Sequence, residues 1–132
     1  MFKKTLLILG FAASLFAVEI TDDMAFKSSY LEKENSSKTT LMIYTTSSCP
    51  QCSYMKERTF KEANVAKYLQ KHFIVLEKNI HQDLLPDGFE YFGIPTIFFV
   101  NKNGKQVGKF VGSARAKPFL DELKKIRTEV EK

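Results

Sequence analysis

Thr39-Thr40-Leu41-Met42-Ile43-Tyr44-Thr45-Thr46-Ser47-Ser48-Cys49-Pro50-Gln51-Cys52 joins a strand signal to a helix signal through a cysteine pair. Thr39 to Thr46 is short, β-branched and apolar, with Leu41, Ile43 and Tyr44, and predicts a buried strand. Ser47-Ser48-Cys49-Pro50 then turns the chain into a helix. Pro50 suits the first helical position, because its missing N–H would have no intrahelical partner there. Cys52, Met55, Thr59 and Phe60 follow at helical spacing.

The chain has two cysteines, and both lie in this C-x-x-C. A helix N-terminus carries partial positive charge and free N–H donors, which favour a thiolate over a thiol. Cys49, where those donors point, is the expected nucleophile. Cys52, one turn later and deeper, is expected to attack the mixed disulfide and release the product. This chemistry needs no cofactor. Other uses of the pair are weaker. A purely structural disulfide closing so small a loop constrains the unfolded chain little. Structural zinc needs four ligands, and His72 and His81 are not spaced to complete a site. Haem attachment needs His after the second Cys, where Ser53 stands. Both histidines read as surface residues, and no metal is expected.

Downstream, Glu62-Ala63-Asn64 is a weak break, and Val65, Leu69 and Phe73 lead to a second strand over 73–77. Residues 83–91 read as a connection with a helical turn. Thr96 to Val100 is strongly β-prone, Asn101-Lys102-Asn103-Gly104 is a hairpin turn of the Asn-Gly kind, and Gln106 to Val111 is its partner strand. Residues 116–131 form a closing helix with Phe119, Leu120, Leu123 and Ile126 on one stripe. A crossover implies a parallel pair and the hairpin an antiparallel one. The expected fold is therefore α/β, a mixed sheet covered by helices.

Upstream, Lys3-Lys4 followed by the apolar run Leu6 to Phe16 and Ala17 reads as an export signal over 1–17. The run is shorter than the roughly 20 residues of a transmembrane helix, although an uncleaved anchor or a buried helix would share its composition. Residues 18–38 read as an amphipathic helix, Met24 to Lys33 with Phe26, Tyr30 and Leu31 apolar, and a polar connection. At 132 residues there is room for one domain. The net charge of +5 is spread along the chain without a dense basic block. It reads as a solvated surface with no nucleic-acid partner.

With Gly93-Ile94-Pro95-Thr96 far downstream of Cys49-Pro50-Gln51-Cys52, the sequence resembles the thioredoxin superfamily over residues 39–125, which implies a thioredoxin-like domain over 39–132. Cys49-x-x-Cys52-x-x-Met55 with Phe60, Val65 and Phe73 is more narrowly similar to the exported, SoxW-type group. The resemblance implies a cis Pro95 facing the cysteines, with the Ile94 backbone pairing with an extended substrate as a strand would. Departures from the pattern matter. Thioredoxins proper carry Trp before the first Cys, Gly-Pro between the two, and a buried Asp in the preceding strand. Ser48, Pro50-Gln51 and Ile43 stand there instead. Glu77, on the next strand, is the candidate to supply the missing carboxylate near Cys52.

The motif leaves the direction of electron flow open, and Gln51 weighs toward reduction. Strong oxidases of the DsbA kind place His between the cysteines to favour the thiolate, and Gln51 is neutral. The expectation is a monomeric periplasmic reductase acting on disulfide-containing proteins and kept reduced by a membrane electron donor of the DsbD/CcdA kind. An exported oxidase or isomerase would use the same cysteines, and a non-catalytic thioredoxin-like binding module is the remaining alternative.

Overall fold

The computed structural model describes residues 38–132. The export signal over 1–17 and the helix Met24 to Lys33 lie outside the described residues. Strand β1 (Thr39–Thr45) is buried along its whole length, as a strand covered on both faces must be. It lies between β2 (Phe73–Asn79), parallel to it, and β3 (Thr96–Val100), antiparallel. β3 pairs in turn with β4 (Gln106–Val111), giving the mixed order β2-β1-β3-β4. Among the described residues three helical segments flank the sheet: α1 (Pro50–Tyr54), which runs on into a wider π-helical turn over Met55–Thr59, α2 (Ala63–His72) and α3 (Ala116–Val130).

Alternation along the strands divides the core between the two faces of the sheet. Leu41, Ile43, Val75, Ile97 and Phe99 meet Met55, Phe60, Leu69, Phe119 and Leu123 from the helices. Met42, Tyr44, Leu76, Phe98 and Val100 line the other face, where Leu85, Phe89 and Tyr91 of the β2–β3 connection pack on them. The expected α/β mixed sheet flanked by helices is thus observed, with particular differences in its elements.

β2 runs two residues further than its apolar pattern, because Lys78 and Asn79 pair with Tyr44 and Thr45. The weak break at 62–64 is a helix start. Glu62 caps α2, its Oε2 accepting the N–H of Asn64 and of Val65 at 3.1 Å each. The connection expected to hold a helical turn holds none; Pro86 and Gly88, the latter at φ +83°, divide it into turns. The hairpin is longer than a two-residue Asn-Gly turn. Asn101 organises it, its side-chain oxygen accepting the N–H of Asn103 and of Lys105, while Gly104 takes a positive φ of 79°. An irregularity in register follows between Phe99 and Val100. His72 is half-buried against Tyr68, at 4.5 Å between ring centroids, and burial holds its pKa below the usual value.

Candidate functional site

β1 delivers the chain at Thr45 to a short turn, after which Cys49 caps α1 and Pro50 takes the first helical position. Cys49 has extended backbone, and its Sγ accepts the N–H of Cys52 at 3.1 Å. A sulfur thus does what a Ser or Asp oxygen does at other helix starts. The two sulfurs are at disulfide-bonding distance, with Cα atoms 5.2 Å apart. Cys49 is half-buried, Pro50 and Gln51 are exposed, and Cys52 is 1% exposed. Cys49 is therefore the more accessible cysteine of the two.

The helix carrying the pair is not α-helical to its end, as its spacing predicts. At Met55–Thr59 the ladder widens, with the Phe60 N–H donating to the Met55 carbonyl at 2.8 Å. Met55 and Thr59 are both buried. Both hold the segment after β4: the Ala114 N–H donates to Met55 Sδ at 3.2 Å, and Thr59 Oγ1 donates to the Ala114 carbonyl at 2.5 Å. The cysteine helix is pinned in this way to the loop that leads into α3.

Ile94 is half-buried and Pro95 buried, and the peptide bond between them is cis. The Pro95 carbonyl accepts the N–H of Gly112 at 2.8 Å, and Thr96 Oγ1 donates to the Gly93 carbonyl at 2.5 Å. Thr96 pairs with Tyr44, so the Ile94–Pro95 segment and the cysteine turn lie at one end of the sheet.

Glu77 lies in register with Ile43 of β1. Its Oε1 accepts from Lys56 Nζ at 2.6 Å and from Thr45 Oγ1 at 3.0 Å, with the Lys56 and Glu77 side chains about a third exposed. Lys56 stands four residues after Cys52, and the ion pair thus ties β2 to the cysteine helix. Sequence reasoning missed Lys56 and Thr45. The i, i+4 spacing from Cys52 to Lys56 is the signal that could have found the first.

The pattern of the thioredoxin-like domain family matches residues 26–127. No curated protein sequence matches the chain. Among solved structures, a candidate disulphide-isomerase from Bacteroides thetaiotaomicron shares 28% identity at a TM-score of 0.67, with 87% of this chain and 96% of that one covered. A thioredoxin from Thermus thermophilus shares 20% identity at a TM-score of 0.68, covering 86% and 90%. The C-terminal domain of Neisseria meningitidis DsbD in its reduced form shares 22% at 0.65, covering 83% and 100%. These last two speak to the fold alone, which is the mixed sheet and cysteine-bearing helix described above. The family pattern runs through every strand and through the cysteine pair, across well over half of the sequence, and the chain therefore belongs to the thioredoxin-like domain family.

Proposed function

We propose that the chain is an exported thiol–disulfide oxidoreductase of the SoxW-like kind that reduces disulfides in periplasmic proteins. The observation that carries this reading is the asymmetry of the pair: Cys49 at the helix start, partly open and accepting an N–H, with Cys52 buried. In the reducing direction the Cys49 thiolate attacks one sulfur of a substrate disulfide and expels the other as a thiolate. Cys52, losing its proton, then attacks Cys49 Sγ and expels the second substrate thiolate. The substrate gains two electrons and two protons, and the protein is left with the Cys49–Cys52 disulfide. A membrane dithiol protein of the DsbD/CcdA kind returns the electrons. Ile94 presents its backbone to the extended substrate, Pro95 keeps an N–H out of that contact, and Pro50 and neutral Gln51 set the helix start without adding charge.

The reduction potential of the pair, equilibrated against a thioredoxin of known potential, tests the direction. A reductase is expected near about −270 mV, where thioredoxin lies. A value near about −120 mV, where DsbA lies, would overturn that direction in favour of an oxidase. The second reading, a disulfide isomerase, is favoured by the likeness to the Bacteroides protein and would be supported by a value near about −180 mV.

Glu77 belongs to the same proposal. Joined to Lys56 and Thr45, it supplies a carboxylate on the strand beside Ile43 and receives or returns the Cys52 proton. Glu77→Gln removes that acceptor and leaves the Lys56 ammonium unopposed, which favours thiolate. The pH midpoint of disulfide exchange is expected to move down by about one unit. An unchanged profile would remove Glu77 from the mechanism and leave it as the partner that holds Lys56.

A further inference from the structure

The connection between β2 and β3, residues 80–95, has no helix or strand of its own. Connections of that length, beyond about 12–15 residues, are uncommon in compact domains unless they serve a function. This one is firmly held. The Tyr44 hydroxyl donates to the Leu84 carbonyl at 3.0 Å; burial, then Asp83 and Tyr91, push that phenol up to about 12. Tyr91 stacks on Tyr44 at 6.1 Å and Phe89 packs on Phe98 at 5.2 Å. Lys109 Nζ donates to the Glu90 carbonyl at 3.0 Å and lies 5.4 Å from the Phe92 ring centre.

Although its inner residues are half-buried against the sheet, the segment turns two large apolar side chains outward. Leu84 is 93% exposed and Phe92 84%. Among the described residues the other large exposed hydrophobics are Val111 and Tyr54. Val111 pairs with Thr96 at the cysteine end of the sheet, where Thr96 also pairs with Tyr44 and Asn79 with Thr45. Leu84 follows Asn79 by five residues and Phe92 precedes Thr96 by four, so the segment that carries them leaves and re-enters the sheet at that end. Tyr54 is on the cysteine helix itself. Apolar exposure gathered at one end marks an interaction surface.

Charge says what the partner looks like. The chain carries +5 overall and 20 Lys and Arg, yet none falls between Lys78 and Lys102. That stretch holds Asp83, Asp87 and Glu90 instead. Asp83 Oδ2 accepts the Asn79 N–H at 2.6 Å, whereas Asp87 and Glu90 are exposed. Among the described residues, Lys109 is a cation set against the segment, and it is engaged with the Glu90 carbonyl and the Phe92 ring.

We propose that residues 80–92 form a docking tongue that selects the redox partner: a protein segment carrying Lys or Arg together with apolar residues beside its disulfide. Leu84 and Phe92 meet the apolar residues, and Asp87 and Glu90 meet the cations. This rests on the oxidoreductase reading. Two synthetic disulfide-bridged peptides of equal length test it, both with Leu beside the bridge, one flanked by Lys and the other by Glu. The full chain is expected to favour the Lys peptide by about tenfold in kcat/KM at low salt, and less as salt rises. Asp87→Lys with Glu90→Lys should abolish or reverse the preference, and Leu84→Ser with Phe92→Ser should lower kcat/KM for the Lys peptide about tenfold. Equal use of both peptides, or a preference that survives the charge reversal, overturns the proposal. So does self-association of the chain that the Leu84→Ser, Phe92→Ser pair abolishes, which would assign the face to a second copy. Turnover of oxidised glutathione reports the redox reading separately. If that fails, equilibrium binding of the two peptides to the Cys49→Ser chain still decides the docking.

Discussion

Cys49→Ser is expected to lower disulfide exchange by on the order of a thousandfold or more, because a hydroxyl cannot supply the thiolate that attacks sulfur. Cys52→Ser is expected to stop turnover differently. Cys49 can still attack, but nothing displaces the substrate from it, so a mixed disulfide accumulates and survives on a non-reducing gel. The difference between the two variants follows from the site, where Cys49 is half-buried and Cys52 is 1% exposed. Insulin-type reduction measures turnover, and mass spectrometry of the trapped species identifies the sulfur that carries the substrate. Trapping by the Cys49→Ser chain instead would reverse the assignment of nucleophile and resolving cysteine. Full turnover by either variant would remove the pair from catalysis.

How much of this site was legible in the sequence depended on how local the physics is. Pro50 after Cys49 announces a helix start by itself, and Cys49 caps that helix as the spacing predicts. β1 and β3 were likewise readable from β-branched apolar runs, since burial on both faces leaves little room for polar residues, and β4 was readable as the partner across the hairpin turn. The π-helical turn was not. It rests on Met55 and Thr59 bonding Ala114, a residue more than fifty positions away, and no pattern within the helix reports that partner. Residues 83–91 misled for a related reason. A helical turn is the expectation there, but Leu85, Phe89 and Tyr91 pack on the sheet from a chain divided by Pro86 and Gly88. Glu77 could be named as a carboxylate on the right strand. That it is held by Lys56 of the cysteine helix needed the register of β1 on β2 and the reach of a side chain.

Phe119→Ala is expected to cost about 3–5 kcal/mol of stability, the range for removing a buried aromatic ring. Phe119 is 0% exposed on the inner stripe of α3. Its ring stacks on Phe60 at 5.5 Å between centroids and meets the edge of Phe110 at 5.7 Å. It therefore joins the end of the cysteine helix to edge strand β4, two elements that no strand ladder connects. Domains of this size have about 5–15 kcal/mol in total, so the variant should be only marginally folded at ordinary temperature. Phe119→Leu, which keeps most of the volume, should cost less than about 2 kcal/mol. Urea unfolding followed by circular dichroism measures both. A shifted midpoint with an unchanged slope is the signature of a lost core contact rather than an altered unfolded state. A loss below about 1 kcal/mol for Phe119→Ala would mean that the site can collapse onto the missing ring. The closing helix would then not be what holds the cysteine helix against the sheet, and that work would fall to the Met55 and Thr59 bonds to Ala114.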